Sequence, residues 1–182
     1  MAEMGEMIRQ SVTILVLCAL VDLLAGGVLE GMKEKFSLLP GLLVMLPPLV
    51  DLRGNIGSAL GSRLGSALHL GTVKPKLVMT EVLKVNVLAS FVLSVLASAT
   101  VGVISWVLCL LMDLAGVSLS CLLFIAVFSG VLSGVVITLL TVLISIASFK
   151  GGWDPDNVTG PVTTTLGDIV TVLSILFAVV IW

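Results

Sequence analysis

Long apolar runs separated by short polar segments set the pattern of this chain. A membrane-spanning helix needs about 20 mainly apolar residues, and the run 12–32 supplies them with Asp22 and Glu30 as its carboxylates. Further runs cover about 38–70, 85–112, 120–149 and 158–182. The pattern predicts an all-α integral membrane protein, a bundle of five transmembrane helices forming one domain over residues 1–182.

The second run differs from the others because its apolar part, 38–50, is too short to span a membrane alone. It must continue to about Leu70 through glycine and serine, and it contains Pro47 and Pro48. Proline removes a backbone donor and crowds the preceding turn, so we expect the second helix to be broken or kinked near these prolines. Small residues that favour close helix packing recur every four positions: Gly57, Gly61 and Gly65.

The distribution of basic residues predicts the orientation. Six lie on the same side as the N-terminus, namely Arg9, Arg63, Lys74, Lys76, Lys84 and Lys150, whereas the opposite loops hold Lys33 and Lys35. We therefore expect a multi-pass protein of the cell membrane. The positive-inside rule places its N-terminus in the cytoplasm and its C-terminus outside the cell. The first run is too long for a signal-peptide core, so we expect it to be retained as a span.

Composition excludes several classes of protein. The chain is 58% hydrophobic and 11% charged, which excludes a water-soluble domain. A net charge of -2 without a basic run argues against a nucleic-acid partner. The single histidine, His69, and the absence of HExxH and GxSxG motifs argue against an enzyme. Cys18, Cys109 and Cys121 lack metal-ligand or disulfide spacing, and no cofactor is expected.

Carboxylates inside apolar runs are the strongest chemical signal. Asp22, Asp51 and Asp168 lie within predicted spans, where an ionised side chain costs at least about 3 kcal/mol without a partner, water or a metal. Each of them pairs with Arg53 or Arg63, stays protonated in a helix interface, or faces a cation. Acids outnumber bases at this depth, and oxygen ligands suit hard divalent ions such as Mg²⁺ and Ca²⁺.

The fifth run arranges its polar residues along one helical face. Asn157 and Asp168 are 11 residues apart, about three turns, and Pro161 and Thr164 fall on the same stripe. Asp154 and Asp156 stand just before this run. They either concentrate cations at the inner mouth or cap the start of the helix.

Two stretches carry a resemblance to a known family: LPPLVDLRGNIGSALGSRL at 46–64 and DPDNVTGPVTTTLGD at 154–168. They resemble the membrane domain of MgtE magnesium transporters, and more strongly that of their eukaryotic solute-carrier relatives. The resemblance implies a five-helix domain that pairs with a second copy, the ion path lying between the two. It implies that Asp168 binds the cation and that four other residues line the path or its vestibules: Asn55, Asn157, Asp154 and Glu30. It gives no support for Asp22 or Asp51.

These observations predict transport of a divalent cation, Mg²⁺ in the first place, through a homodimer in the lipid bilayer. Mg²⁺ is the substrate and not a cofactor. One alternative is an exchanger coupled to Na⁺ or H⁺, in which Asp22 or Asp51 titrates; another is a membrane assembly subunit that transports nothing. Because few residues precede the first span, we expect no gating by the cytosolic sensor domain of bacterial MgtE proteins.

Overall fold

Five long helices make up the protein in a computed structural model that describes residues 2–34, 39–114 and 116–182. They are α1 (Ala2–Gly31), α2 (Pro40–His69), α3 (Glu81–Leu111), α4 (Leu119–Lys150) and α5 (Pro155–Ile181). The described residues include no β-strand. The all-α bundle is confirmed; helix α1 begins at Ala2, and its apolar spanning part begins at Ile8, close to the predicted start at residue 12. Lys35 and Leu38, which belong to the predicted outer loop and second span, lie outside the described residues.

Four of these helices are long and apolar enough to cross a membrane: α1 over Ile8–Gly31, then α3, α4 and α5. The multi-pass membrane class is therefore confirmed. Helix α2 falls short of the same apolar standard because it carries Asp51, Arg53 and Arg63 among glycines and serines. Its 30 residues would extend about 45 Å. A fifth crossing by α2 stays a prediction.

Helix α2 runs through Pro47 and Pro48 without interruption. The break that the two prolines predicted is absent, and a bend at this position stays a prediction. The physical reason lies in the packing around the prolines. Leu42, Met45 and Leu49, on either side of them, are fully buried in one apolar cluster, which fixes these turns despite the missing backbone donors.

Among the described helices, α2, α4 and α5 each pack against three others, and α1 packs against α5 alone. Helices α2 and α5 run antiparallel at very short range. A β-carbon at Gly57 would lie 3.4 Å from the Thr163 Cβ, and one at Gly61 would lie 2.6 Å from the Thr159 Cγ2. The glycine repeat therefore serves close helix packing, as predicted.

The interior is divided into apolar ends and a polar middle. One large apolar cluster includes Leu42 and Ile175, and a smaller one includes Leu60 and Ile146. Buried polar side chains lie on the same helices, among them Arg53, Ser94, Ser98, Ser129 and Ser133. Many of these hydroxyls donate to the carbonyl four residues earlier, as Ser133 Oγ does to the Ser129 oxygen at 2.6 Å. Such bonds satisfy polar groups within a single helix.

Candidate cation site

An open cavity of about 430 Å³ lies where α2, α5 and the end of α1 meet. Its polar lining consists of Asp51, Asn55, Thr164 and Asp168, and its apolar lining includes Leu29, Leu46 and Val50. Four of the nine residues that the sequence singled out thus share one cavity. The sequence did not predict the apolar wall, since a leucine or valine in a span carries no signal for a polar site.

Asp51 and Asn55 form a pair on one turn of α2. The Asn55 Nδ2 donates to the Asp51 Oδ2 at 2.7 Å, and both side chains are exposed. This bond leaves the amide oxygen of Asn55 and the second carboxylate oxygen of Asp51 as acceptors. Oxygen atoms of this kind suit a hard cation or the water molecules around it.

Thr164 reaches the same cavity from α5 because Gly54 makes room for it. A β-carbon at Gly54 would lie 2.9 Å from the Thr164 Cγ2. The Thr164 hydroxyl donates to the Gly160 carbonyl at 3.0 Å and lies 3.3 Å from the Ser58 Oγ. Gly54 therefore sets the approach of the helices next to Asn55, and Ser58 was not identified as a partner from the sequence.

Three carboxylates from three helices gather near this cavity. Asp168 of α5 lies within electrostatic range of Asp22 and Asp51. Asp22 faces α5 as well, where its Oδ2 accepts from the Thr165 Oγ1 at 3.3 Å while its Oδ1 is buried without a hydrogen-bond partner. Nevertheless, no three acidic, histidine or cysteine side chains of residues 2–34, 39–114 and 116–182 lie close enough together to hold one metal ion.

The arginines do not neutralise these acids. The buried Arg53 guanidinium donates to the Ser98 Oγ and the Ser94 carbonyl. The Arg63 Nε donates to the Ala59 carbonyl at 3.0 Å. The ion pairs considered from the sequence are absent from the described part of the chain, so the negative charge around the cavity stays uncompensated by these side chains.

Asn157 is half-buried and lies outside the lining of this cavity. It is on the stripe of Asp168 but about 16 Å from it along the α5 axis. Asn157 therefore cannot contact an ion that Asp168 holds, and a role for it elsewhere on an ion path stays a prediction. Asp154 and Asp156, at the start of α5, lie farther still from Asp168 along the helix axis.

The start of α5 shows the capping that the sequence left as one of two alternatives. The Asp154 carboxylate accepts from the Asp156 backbone N–H at 3.0 Å, and the same oxygen lies 3.7 Å from the His69 Nε2. Asp154 lies about 21 Å from Asp168 along the helix. The exposed Asp156 fits against Gly65, where a β-carbon would lie 2.7 Å from its Oδ1. A role in attracting ions stays a prediction for both.

Glu30 lies at the end of α1 and outside the cavity lining, although the preceding Leu29 belongs to it. Its carboxylate is exposed and pairs with the Lys33 Nζ at 3.3 Å. A surface pair of this kind contributes little to stability. A role for Glu30 at a vestibule of the ion path stays a prediction.

In the described part of this helical membrane bundle, acidic and amide side chains line one cavity, and neither Arg53 nor Arg63 pairs with its acids; such an arrangement suits the binding of cations. A family model described as "Divalent cation transporter" matches residues 46–178. The chain belongs to this family, the MgtE family, which confirms the resemblance found in the two sequence stretches.

Three curated relatives illustrate the similarity. The chain is 33% identical to solute carrier family 41 member 3 of Rattus norvegicus over 142 residues, which cover 74% of this chain and 29% of the relative. It is 28% identical to member 2 of Xenopus laevis over 156 residues, which cover 81% of this chain and 27% of that relative. It is 27% identical to member 2 of Homo sapiens, also over 156 residues, which cover 81% of this chain and 26% of that relative. It therefore spans less than a third of their length. No solved structure matches the chain significantly.

Proposed function

We propose that this chain moves a divalent cation, with Mg²⁺ as its substrate, along a path that passes the cavity between α2 and α5. The observation that carries the proposal is the grouping of Asp51, Asn55, Thr164 and Asp168 around one open cavity without a pairing arginine. Uncompensated acids within a membrane bundle attract cations, and their oxygen atoms favour hard ions. Membership of the MgtE family supports the same substrate class.

Asp168 is the central residue of the proposed site. Mg²⁺ gives up its waters reluctantly and is commonly held through them, so a cavity of about 430 Å³ fits a largely hydrated ion. Asp168 attracts the ion, and Asn55 and Thr164 orient its waters. Asn157 contacts the ion at a second point, Asp154 and Asp156 supply or receive it at the start of α5, and Glu30 does so near the end of α1.

We further propose that residues 1–182 act as one unit of a homodimer with its N-terminus in the cytoplasm. The cavity is open, and one protomer's described residues provide no group of three direct acidic ligands. A second Asp168 across a two-fold axis would supply two negative charges for one divalent cation. Closed two-fold dimers are the commonest homo-oligomers, and mass photometry of the purified protein in detergent measures this state directly.

The decisive test is thermal unfolding of the purified protein with Mg²⁺, Ca²⁺, Mn²⁺ or Na⁺. Mg²⁺ at 100 times its dissociation constant should stabilise the protein by about 2.7 kcal/mol, and Asp168→Asn should remove most of this effect. Asp113→Asn is the matched control, because Asp113 lies exposed in the loop after α3. An Asp168→Asn variant that binds Mg²⁺ like the parent would refute the site assignment.

Transport is tested separately in liposomes, which also distinguishes the alternatives. Mg²⁺ flux that is independent of Na⁺ and proton gradients indicates a channel. Flux that follows either gradient indicates an exchanger and directs attention to Asp22 and Asp51. If folded, dimeric protein shows no flux of any divalent cation, the proposed transport function is rejected. The remaining alternative is then a membrane assembly subunit that transports nothing.

A further inference from the structure

A long apolar groove between α3 and α4 lies on the far side of the bundle from the cation cavity. It has a volume of about 680 Å³, and among the described helices α3 contacts neither α1 nor α5. Of the described residues that line it, Lys84 and Thr138 alone have polar side chains. A groove of this volume lies in the range of ligand sites, and its walls favour an apolar ligand.

The length of the groove matches one leaflet of a bilayer. Leu77 and Met79 line it in the loop before α3, and its lining on α3 ends at Phe91. Helix α3 begins at Glu81, so Phe91 lies about 15 Å along the helix axis, which is half of a hydrocarbon core about 30 Å thick. The acyl chain of a lipid fits along this length, and its headgroup then lies beside the loop before α3.

The loop end of the groove is basic. Lys74 and Lys76 are exposed in the loop, and Lys84 lines the groove one turn into α3. The segment 70–91 holds these three lysines and one carboxylate, that of Glu81, which pairs with the Lys84 Nζ at 2.9 Å. The segment therefore has a net charge of +2. This positive rim is complementary to an anionic headgroup.

The loop before α3 has the properties of a segment at the membrane surface. Leu77, Val78 and Met79 are 66%, 55% and 61% exposed next to the lysines. The backbone N–H groups of Lys76, Val78 and Thr80 each donate to the carbonyl two residues earlier, at 2.7, 2.7 and 2.9 Å. Because these donors are satisfied within the loop, its apolar side chains can contact hydrocarbon at low cost. The loop therefore forms a lip at the open end of the groove.

We infer that the groove binds one anionic phospholipid, with an acyl chain along α3 and α4 and its phosphate beside Lys76 and Lys84. A zwitterionic lipid would fill the apolar walls but would leave the positive charge of the rim uncompensated. A second copy of the chain fits this face poorly, because a two-fold contact would bring two basic rims together. The bound lipid holds the loop before α3 against the pair α3 and α4.

The test is native mass spectrometry of the purified protein in detergent, without any divalent cation, so that its result is independent of the proposed transport function. The protein is titrated with dioleoyl phosphatidylglycerol or with dioleoyl phosphatidylcholine, whose acyl chains are identical. We expect one phosphatidylglycerol to bind about tenfold more tightly than phosphatidylcholine. The double variant Lys76→Gln, Lys84→Gln should lose this preference. Lys33→Gln, which changes an exposed lysine just after α1, should keep it.

Val135→Trp should fill the groove and abolish the tight binding, whereas Ile104→Trp, at an exposed position of α3 outside the groove lining, should keep it. If Val135→Trp does not fold, a phosphatidylglycerol with a diazirine on its acyl chain should label residues 87–91 and 135–142 of the parent protein. Equal affinity for the two lipids, a preference that persists without the two lysines, tight binding in Val135→Trp, or labelling elsewhere would each overturn the inference. A dimer that dissociates in Val135→Trp would also overturn it, because a second copy would then occupy this face.

Discussion

Gly54 of α2 lies directly against Thr164 of α5, so closely that a β-carbon at position 54 would approach the Thr164 Cγ2 to 2.9 Å. This approach brings Asn55, the next residue, to the same cavity as Asp168, one turn beyond Thr164. Similar contacts follow along both helices at Gly57, Gly61 and Gly65. The register between the two helices, fixed by glycines, decides which oxygen atoms meet.

Gly61→Ala should destabilise the protein. The new methyl group would lie 2.6 Å from the Thr159 Cγ2, and overpacking of this kind costs about 1–3 kcal/mol. Thermal unfolding in detergent measures the effect. Gly27→Ala is the matched control, since nothing lies within 4 Å of its β-carbon, and it should leave the midpoint unchanged or raise it. Equal midpoints for both variants would contradict the close packing of α2 and α5.

Asp51→Asn should weaken Mg²⁺ binding about fivefold, or about 1 kcal/mol, because one negative charge near Asp168 is removed. The new amide can still accept from the Asn55 Nδ2, so the local hydrogen bond is preserved. Calorimetric titration of Asp51→Asn against Asp113→Asn, which lies exposed in a loop, separates this effect from a general change in charge. Unchanged affinity would place the ion away from Asp51.

Two variants of Asp154 separate capping from ion attraction. Asp154→Ser keeps an N-cap oxygen and should retain stability, whereas Asp154→Ala should lose about 1 kcal/mol. If the carboxylate also concentrates cations, both variants should transport Mg²⁺ more slowly at low ionic strength, and the difference should disappear at high salt. Parent-like flux of Asp154→Ser at low salt would show that Asp154 is a cap and nothing more.

Asp22→Asn should stabilise the protein in EDTA by about 1 kcal/mol, because a buried carboxylate oxygen without a partner is replaced by a neutral group. Thr165→Val should destabilise the protein, since it removes the hydroxyl that donates to the Asp22 Oδ2 at 3.3 Å. Thermal unfolding of both variants tests the pair. A loss of stability in Asp22→Asn would mean that the ionised carboxylate has a compensating cation even in EDTA.

The hydropathy pattern predicted most of the fold because crossing a bilayer imposes a minimum apolar length. Four spans and the close-packing glycines of α2 are found where the sequence placed them. Of the break or kink expected at Pro47 and Pro48, the structure shows no break, because the burial of Leu42, Met45 and Leu49 holds the surrounding turns of α2 helical, and a kink stays a prediction. Local propensity allowed a break in α2 at the prolines, and tertiary packing keeps the helix continuous there.

By itself the sequence determined the helices, their order and the polar residues at membrane depth, since these follow from local composition and the period of the α-helix. It also carried the two motifs that identify the MgtE family. Only the tertiary structure decided that Asp51, Asn55, Thr164 and Asp168 share a cavity and that Arg53 points away from it to Ser94 and Ser98. Contacts between helices depend on register and rotation, which the composition of a single helix does not encode.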